Sequence, residues 1–337
     1  MRKYISDKLT VLYTMLIIMV VYIHSYYPQG EAYPVADFLQ KFTGCLCTAA
    51  NTLFFVLSGY LFARNVTDSN SAVTKSVKRI KTLLPPYLIW NVLFVLVYVM
   101  LDLIPGLGRF NNHGGMVTRL SHQPIAETLN YLFVKPAAFQ LWFIRELLVM
   151  FLYTPILCYV ARKKWWLALL LAFASSLVYF GLVYFWTGLI IGIKRCDVEN
   201  YYRSRWSVAV AALIYAGYAL AVTLCGLQLD TTLQIPIYLA SIYFIWAAYD
   251  LCAKGRLLAR SGVWKYICGY SFFIYCFHEP ALHIFKKLAL ALCGTSQASI
   301  IIFYYLNPLL LTITAVVVAR LLKRFTPRLY AVLTGGR

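Results

Sequence analysis

Charge is scarce in this chain, and negative charge is scarcest of all. Only 13% of the 337 residues are charged, and 12 acidic residues stand against 31 basic ones. A soluble domain carries about 25% charged residues, so a globule surrounded by water is excluded, and the mean hydropathy of +0.70 agrees. Cysteine pairs at CxxC spacing are also missing. The nine thiols, Cys45, Cys47, Cys158, Cys196, Cys225, Cys252, Cys268, Cys276 and Cys293, are scattered through or beside apolar runs. They read as small hydrophobes, not as a disulfide framework or a zinc site. No glycine-rich phosphate loop, dinucleotide fingerprint or internal repeat stands out, and no appended soluble domain is seen. What remains is an all-α, polytopic membrane bundle forming a single domain over 1–337, with its chemistry inside the bundle or its loops.

What is present is a series of apolar runs at approximately 9–27, 44–63, 85–104, 139–160, 206–227, 232–251, 264–284 and 300–320. Each is long enough to cross a hydrocarbon core of roughly 30 Å as a helix. Between them lie basic clusters: Lys75, Lys78, Arg79 and Lys81; Arg162, Lys163 and Lys164; Lys194, Arg195, Arg203 and Arg205; Lys254, Arg256, Arg260 and Lys265; and Lys323, Arg324 and Arg328. In a soluble chain the formal charge of +19 would suggest nucleic acid. Here its placement is the positive-inside pattern, so nucleic acid is not an expected partner and both termini are expected in the cytoplasm. The basic start, Arg2, Lys3 and Lys8, precedes an apolar run too long for a signal peptide's core, so the first helix is expected to remain as an anchor.

The run from Trp165 to Ile193 tests this scheme, because basic clusters flank it on both sides. Either it is a hairpin of two short helices turning near Ser175 to Gly181, which keeps every cluster inside, or it is one long tilted helix with mixed topology. The hairpin is preferred and brings the total to about ten helical segments. The longest hydrophilic stretch, Pro105 to Phe139, then faces outside as a loop containing Gly106, Gly108, Gly114, Gly115, His113, His122 and Pro124, with a short amphipathic helix around Ile125 to Phe133.

Polar residues inside apolar helices are functional candidates by default. His24 lies eleven residues after Tyr13, almost three turns, so the two share a face about 16 Å apart. An imidazole with an ordinary pKa near 6.5 suits a general base; the alternative is a helix-end histidine hydrogen-bonded at the interface. Asn51 and Ser58 share a face of the second span in FFVLSGYLF. Small Ser58 and Gly59 serve close helix packing, and Ser58 is otherwise a donor to a ligand. Pro85 and Pro86 fit the first turn of the third span. Lys78, Arg79 and Lys81 before them meet anionic lipid or the phosphates of a nucleotide-bearing donor. In LWFIRELL, Arg145 and Glu146 point about 100° apart and are expected each to meet another helix, forming either a structural ion pair or part of a polar network. GYSFFIYCFHEP sets Ser271, Tyr275 and His278 at helical spacing, while His113, His122 and His283 read as solvated.

In order along the chain, VVYIHSY ending in His24, FFVLSGYLF, KRIKTLLPPYLIW, LWFIRELL, YFWTGLIIGIKR and YSFFIYCFHEP resemble the acyltransferase 3 family of integral membrane O-acyltransferases. The resemblance spans nearly the whole chain and implies ten transmembrane helices, a cytoplasmic acyl-CoA donor (acetyl-CoA foremost), no metal, and a glycan or glycolipid acceptor at the outer face of a bacterial cytoplasmic membrane. It implies that His24 is catalytic, with Ser58 as a donor to the developing oxyanion, and that Lys78, Arg79 and Lys81 contact the donor's phosphates. Tyr13, Asn51, Trp142, Arg145, Glu146, Tyr275 and His278 are implied as the surrounding substrate or structural network. The family carries an arginine where this chain has Tyr13, so Lys8 or Arg145 is the expected substitute cation. A transporter or flippase, or a catalytically degenerate member of the same fold, is the alternative.

Overall fold

The computed structural model describes residues 3–27, 32–107, 115–175, 179–199, 204–253 and 262–336, and all regular structure among them is helical. His113, Gly108, Gly114, Arg203, Lys254, Arg256, Arg260 and the hairpin turn at 176–178 lie outside the described residues.

The chain runs α1 (Lys3–Ile23), α2 (Pro34–Cys47), α3 (Ala49–Ala63), α4 (Ser69–Leu103), the outer-segment helices α5 (Met116–His122) and α6 (Ile125–Leu129), and α7 (Trp142–Lys163). It continues through α8 (Trp165–Ser175), α9 (Phe180–Ile193), α10 (Arg205–Cys225), α11 (Thr231–Ala253), α12 (Gly262–Cys268), α13 (Ser271–Cys293), α14 (Gln297–Phe325) and α15 (Pro327–Thr334). Seven stretches are long and apolar enough to span a membrane, counting α2 and α3 as one. With the α8–α9 hairpin and the kinked α13 they make the ten expected segments.

The hairpin forms as preferred, although α9 has 14 residues, about 21 Å of helix and short of a full crossing. It is stable because it packs inside the bundle. A Cβ on Gly59 would stand 2.0 Å from the Phe185 carbonyl oxygen, and one on Gly188 would stand 1.9 Å from that of Val56. The two backbones touch, as small residues in membrane helices allow.

Three expected boundaries shift, each for a local reason. The second span starts at Pro34, not near 44, because charged and amide groups of its first turns find partners, each through one side-chain atom. Lys41 pairs with Asp37 at 2.8 Å, and Gln40 Oε1 accepts the Tyr27 N–H at 2.6 Å. The span breaks at Thr48, where the Tyr215 hydroxyl of α10 accepts the Ala49 N–H at 3.1 Å and lies 2.9 Å from the Cys45 carbonyl. The third span is a 35-residue helix holding Pro85 and Pro86 in its interior, not in its first turn. Its true start is a capping box, with Asp68 accepting from the Ser71 N–H. The missing N–H of Pro86 leaves the Thr82 carbonyl without its helical partner, and Gly335 (φ +66) lies so close to that oxygen that a Cβ would come within 2.1 Å. The expected 264–284 span divides into α12 and α13, and α13 is itself broken at Glu279 (φ −113, ψ +136) before Pro280.

Basic side chains close open helix ends. Lys75 donates to the Leu61 carbonyl at 3.1 Å and to that of Phe62. Arg162 donates to the carbonyls of Val66 and Thr67. Both satisfy acceptors that α3 and the turn after it leave open.

The outer segment does not simply face out. After α6, its residues Ala137, Ala138, Gln140 and Leu141 are buried. The Ala138 N–H donates to Asn91 Oδ1 at 3.1 Å, and the Tyr87 hydroxyl donates to the Phe133 carbonyl at 2.8 Å. The segment is folded back onto α4.

Candidate active site

His24 sits one residue past the end of α1. Its ring stacks on that of His278, with centroids 5.2 Å apart and planes 25° from parallel, and the Phe139 ring stands edge-on at 5.1 Å. The His24 carbonyl accepts a bond from Lys286 Nζ at 3.0 Å, which fixes the backbone where the ring emerges.

The break in α13 builds the other half. Pro280 has no N–H for the Cys276 carbonyl; Gln140 Nε2 donates to that carbonyl at 3.4 Å and to the Glu279 carbonyl at 3.1 Å. The Tyr275 hydroxyl donates to the Gln140 carbonyl. His278 is fully buried, and its Nδ1 lies 2.6 Å from the Tyr275 carbonyl. That acceptor assigns the Nδ1 proton and leaves Nε2 as the lone-pair nitrogen. Among the described residues, none bonds His278 Nε2.

A cavity of about 200 Å³ lies on the same face of α1, a turn and more back from His24 along the helix. Tyr13, Asn51, Ser58, Arg79, Ser271 and Tyr275 give it polar groups, and Phe54, Phe143 and Leu147 are among its apolar walls. Mostly apolar walls with a few convergent polar groups are the usual make-up of a ligand site. The cavity meets the histidine pair through Tyr275, whose ring is 5.9 Å from that of His278.

The structure thus gathers Tyr13, Asn51, Ser58, Arg79 and Tyr275 around one space, with His278 and His24 beyond it. Neighbours divide their labour: Gly59 packs on α9, while Ser58 faces the cavity. Trp142 is half-buried against Phe55 and Phe143. Lys78 and Lys81 are exposed and do not line the cavity, whereas Arg79 does.

Arg145 and Glu146 form the structural ion pair that was one of the two readings of the sequence. The long guanidinium folds back, so Arg145 Nε donates to Glu146 Oε1 at 3.0 Å and Nη1 to the Val134 carbonyl at 2.9 Å. Lys8 is likewise committed: fully buried, it bonds both Asp250 carboxylate oxygens at 2.9 Å and lies 3.8 Å over the Trp246 ring. Neither therefore brings a cation to the cavity beside Tyr13, as was expected; Arg79 does. His122 is exposed, but His283 is half-buried on α13, not solvated. Phe139, Gln140, Glu279 and Lys286 were not singled out from the sequence. The Glu-Pro step after an apolar helix was the available signal for Glu279, and the outer segment gave none.

This all-helical bundle, with a polar cavity leading toward an imidazole pair, matches the model of the acyltransferase domain family over residues 8–322, and the chain belongs to that family. It is an integral, multi-pass membrane acyltransferase. Among curated proteins it is similar to the succinoglycan biosynthesis protein ExoH of Rhizobium meliloti (strain 1021), with 27% identity over 361 aligned positions covering 99% of this chain and 93% of that protein. No solved structure matches it.

Proposed function

We propose that the protein moves an acyl group, acetyl foremost, from cytoplasmic acyl-CoA to a sugar hydroxyl of a polysaccharide or its lipid-linked precursor at the outer face of a bacterial cytoplasmic membrane. The observation that carries this reading is the cavity with Arg79 on its wall that ends at Tyr275, against the stacked His278 and His24. The similarity to a succinoglycan biosynthesis protein supports a glycan acceptor.

On this reading a donor phosphate pairs with Arg79, and the thioester extends past Ser58 toward Tyr275. His24 takes the proton of the acceptor hydroxyl as its oxygen attacks the thioester carbonyl. The carbonyl oxygen gathers charge, which Ser58 or the Tyr275 hydroxyl stabilises. The C–S bond then breaks, the ester remains on the sugar, and the CoA thiolate receives the proton from the imidazolium. His278 and Phe139 hold the His24 ring from two sides, and Lys286 holds its backbone. Arg79 supplies the cation that the family's arginine would bring where Tyr13 stands. Donor and acceptor meet when the Tyr275 to Gln140 bond opens.

The test is transfer of labelled acetyl from acetyl-CoA to the polysaccharide of the producing cell, with His24→Ala shown to be inserted and folded. Transfer should fall by 10² or more, the scale of a lost general base. Undiminished transfer would remove His24 from the chemistry.

A further inference from the structure

Helix α3 has a second cavity system on its other side. At the cytoplasmic ends of α3 and α9, a space of about 360 Å³ is lined by Arg64, Arg195, Asp197 and Glu199 together with Tyr60 and Cys196. A space of about 340 Å³ runs up between α3, α9 and α11 along Leu53, Leu57, Ile191, Leu239, Ile242 and Trp246. Tyr60, Cys196 and Val198 line both, so the two are adjoining chambers. Each chamber is within the about 300 to 1,000 Å³ of ligand pockets. The partition is complete along α3, because Asn51 and Ser58 face the acyl-transfer cavity while Leu53 and Leu57 face this one.

The chambers differ sharply in chemistry. The mouth carries two guanidiniums and two carboxylates, and among the described residues neither Arg64 nor Arg195 is in an ion pair. Arg195 also holds a left-handed backbone, φ +52, a conformation that residues with a Cβ adopt rarely and mostly where the surroundings require it. Three polar groups of the inner chamber are bonded within the protein. Thr187 donates to the Val183 carbonyl at 2.7 Å, Trp246 Nε1 donates to the Val198 carbonyl at 2.9 Å, and the Tyr243 hydroxyl is 2.7 Å from Ser207 Oγ. What faces the chamber is therefore hydrocarbon and ring surface. A ligand that fits both parts has charges of both signs at one end and an alkyl chain at the other.

We propose that this pair of chambers binds one zwitterionic membrane phospholipid of the phosphoethanolamine type. Its phosphate sits between Arg64 and Arg195, its ammonium faces Asp197 and Glu199, and one acyl chain passes Val198 into the chamber between Leu57 and Ile242. The site is separate from the acyl-transfer cavity, and a bound lipid braces the wall of α3 opposite Ser58.

The experiment titrates the purified protein in detergent with phosphatidylethanolamine brominated along its acyl chains, reading tryptophan fluorescence. Saturable quenching at one lipid per chain is expected, and Trp246→Phe should remove at least half of it. Arg64→Gln with Arg195→Gln should weaken the titration tenfold or more, and Ile191→Trp, which fills the chamber, should abolish the saturable phase. Quenching without saturation, or equal quenching by brominated diacylglycerol, overturns the proposal. So does full competition by acetyl-CoA, which would make the space a donor site, or by inorganic phosphate, which would make it a bare anion site. The wild-type titration decides the matter even where a variant fails to fold, and it reads binding whether or not the acyl-transfer mechanism is correct.

Discussion

Residue position on a helix decides which of several similar cations does chemistry. Lys78, Arg79 and Lys81 are close in sequence, yet successive residues turn by about 100°, so Lys78 and Lys81 share one face and Arg79 shares another with Lys75. The second pair faces the bundle, where Lys75 caps α3 and Arg79 lines the cavity. Arg79→Gln is therefore expected to raise KM for acyl-CoA about tenfold, the ~1.4 kcal/mol of a lost charge-assisted contact, with Lys78→Gln near wild type in the same assay. Lys8 makes the contrasting case. Its partner Asp250 is enclosed with it, so Lys8→Met leaves a lone buried charge at a cost of about 3–5 kcal/mol. The unfolding temperature in detergent should fall accordingly and recover largely when Asp250→Leu is added. Unchanged stability of Lys8→Met would mean that the pair is idle.

Elements were legible from the sequence where charge and length acted together. The α8–α9 hairpin follows from basic clusters on both flanks. What stayed hidden depended on contacts between elements far apart in sequence. Pro85 and Pro86 read as a helix start because a proline usually ends the pattern before it, but α4 continues through them and Gly335 packs onto the carbonyl that Pro86 leaves open. The return of the outer segment to Asn91, which delivers Phe139 to His24, has no local signature at all. The α3–α9 contact is the element most exposed to test. Gly59→Ala or Gly188→Ala drives a methyl group into a facing backbone carbonyl, which cannot rotate away. Overpacking of this kind costs about 1–3 kcal/mol. Gly217→Ala on α10, with open space around it, should leave the melting temperature unchanged or slightly raised; equal losses at all three positions would contradict the packing.

Across the whole molecule, an even number of membrane segments returns the chain to the side where it began, and the exposed thiols report this directly. On the positive-inside topology, Cys225 at the end of α10 and Cys293 at the end of α13 lie outside and Cys196 after α9 lies inside, and all three are exposed. A membrane-impermeant maleimide applied to intact cells should label Cys225 and Cys293, and label Cys196 only after permeabilisation. Labelling of Cys196 in intact cells would invert the topology and place the acyl donor's cavity on the wrong side.

The unbroken course of α4 has a consequence of its own. One continuous helix carries Arg79 before the Pro85–Pro86 step, and Tyr87 and Asn91, which grip the outer segment, after it. That step, where one helical hydrogen bond is missing, is where α4 bends most easily, and it separates the guanidinium on the cavity wall from the residues that hold Phe139 against His24. Gly335 packs against the carbonyl left open at that step, so the turn that ends α15 braces the alignment of the two halves.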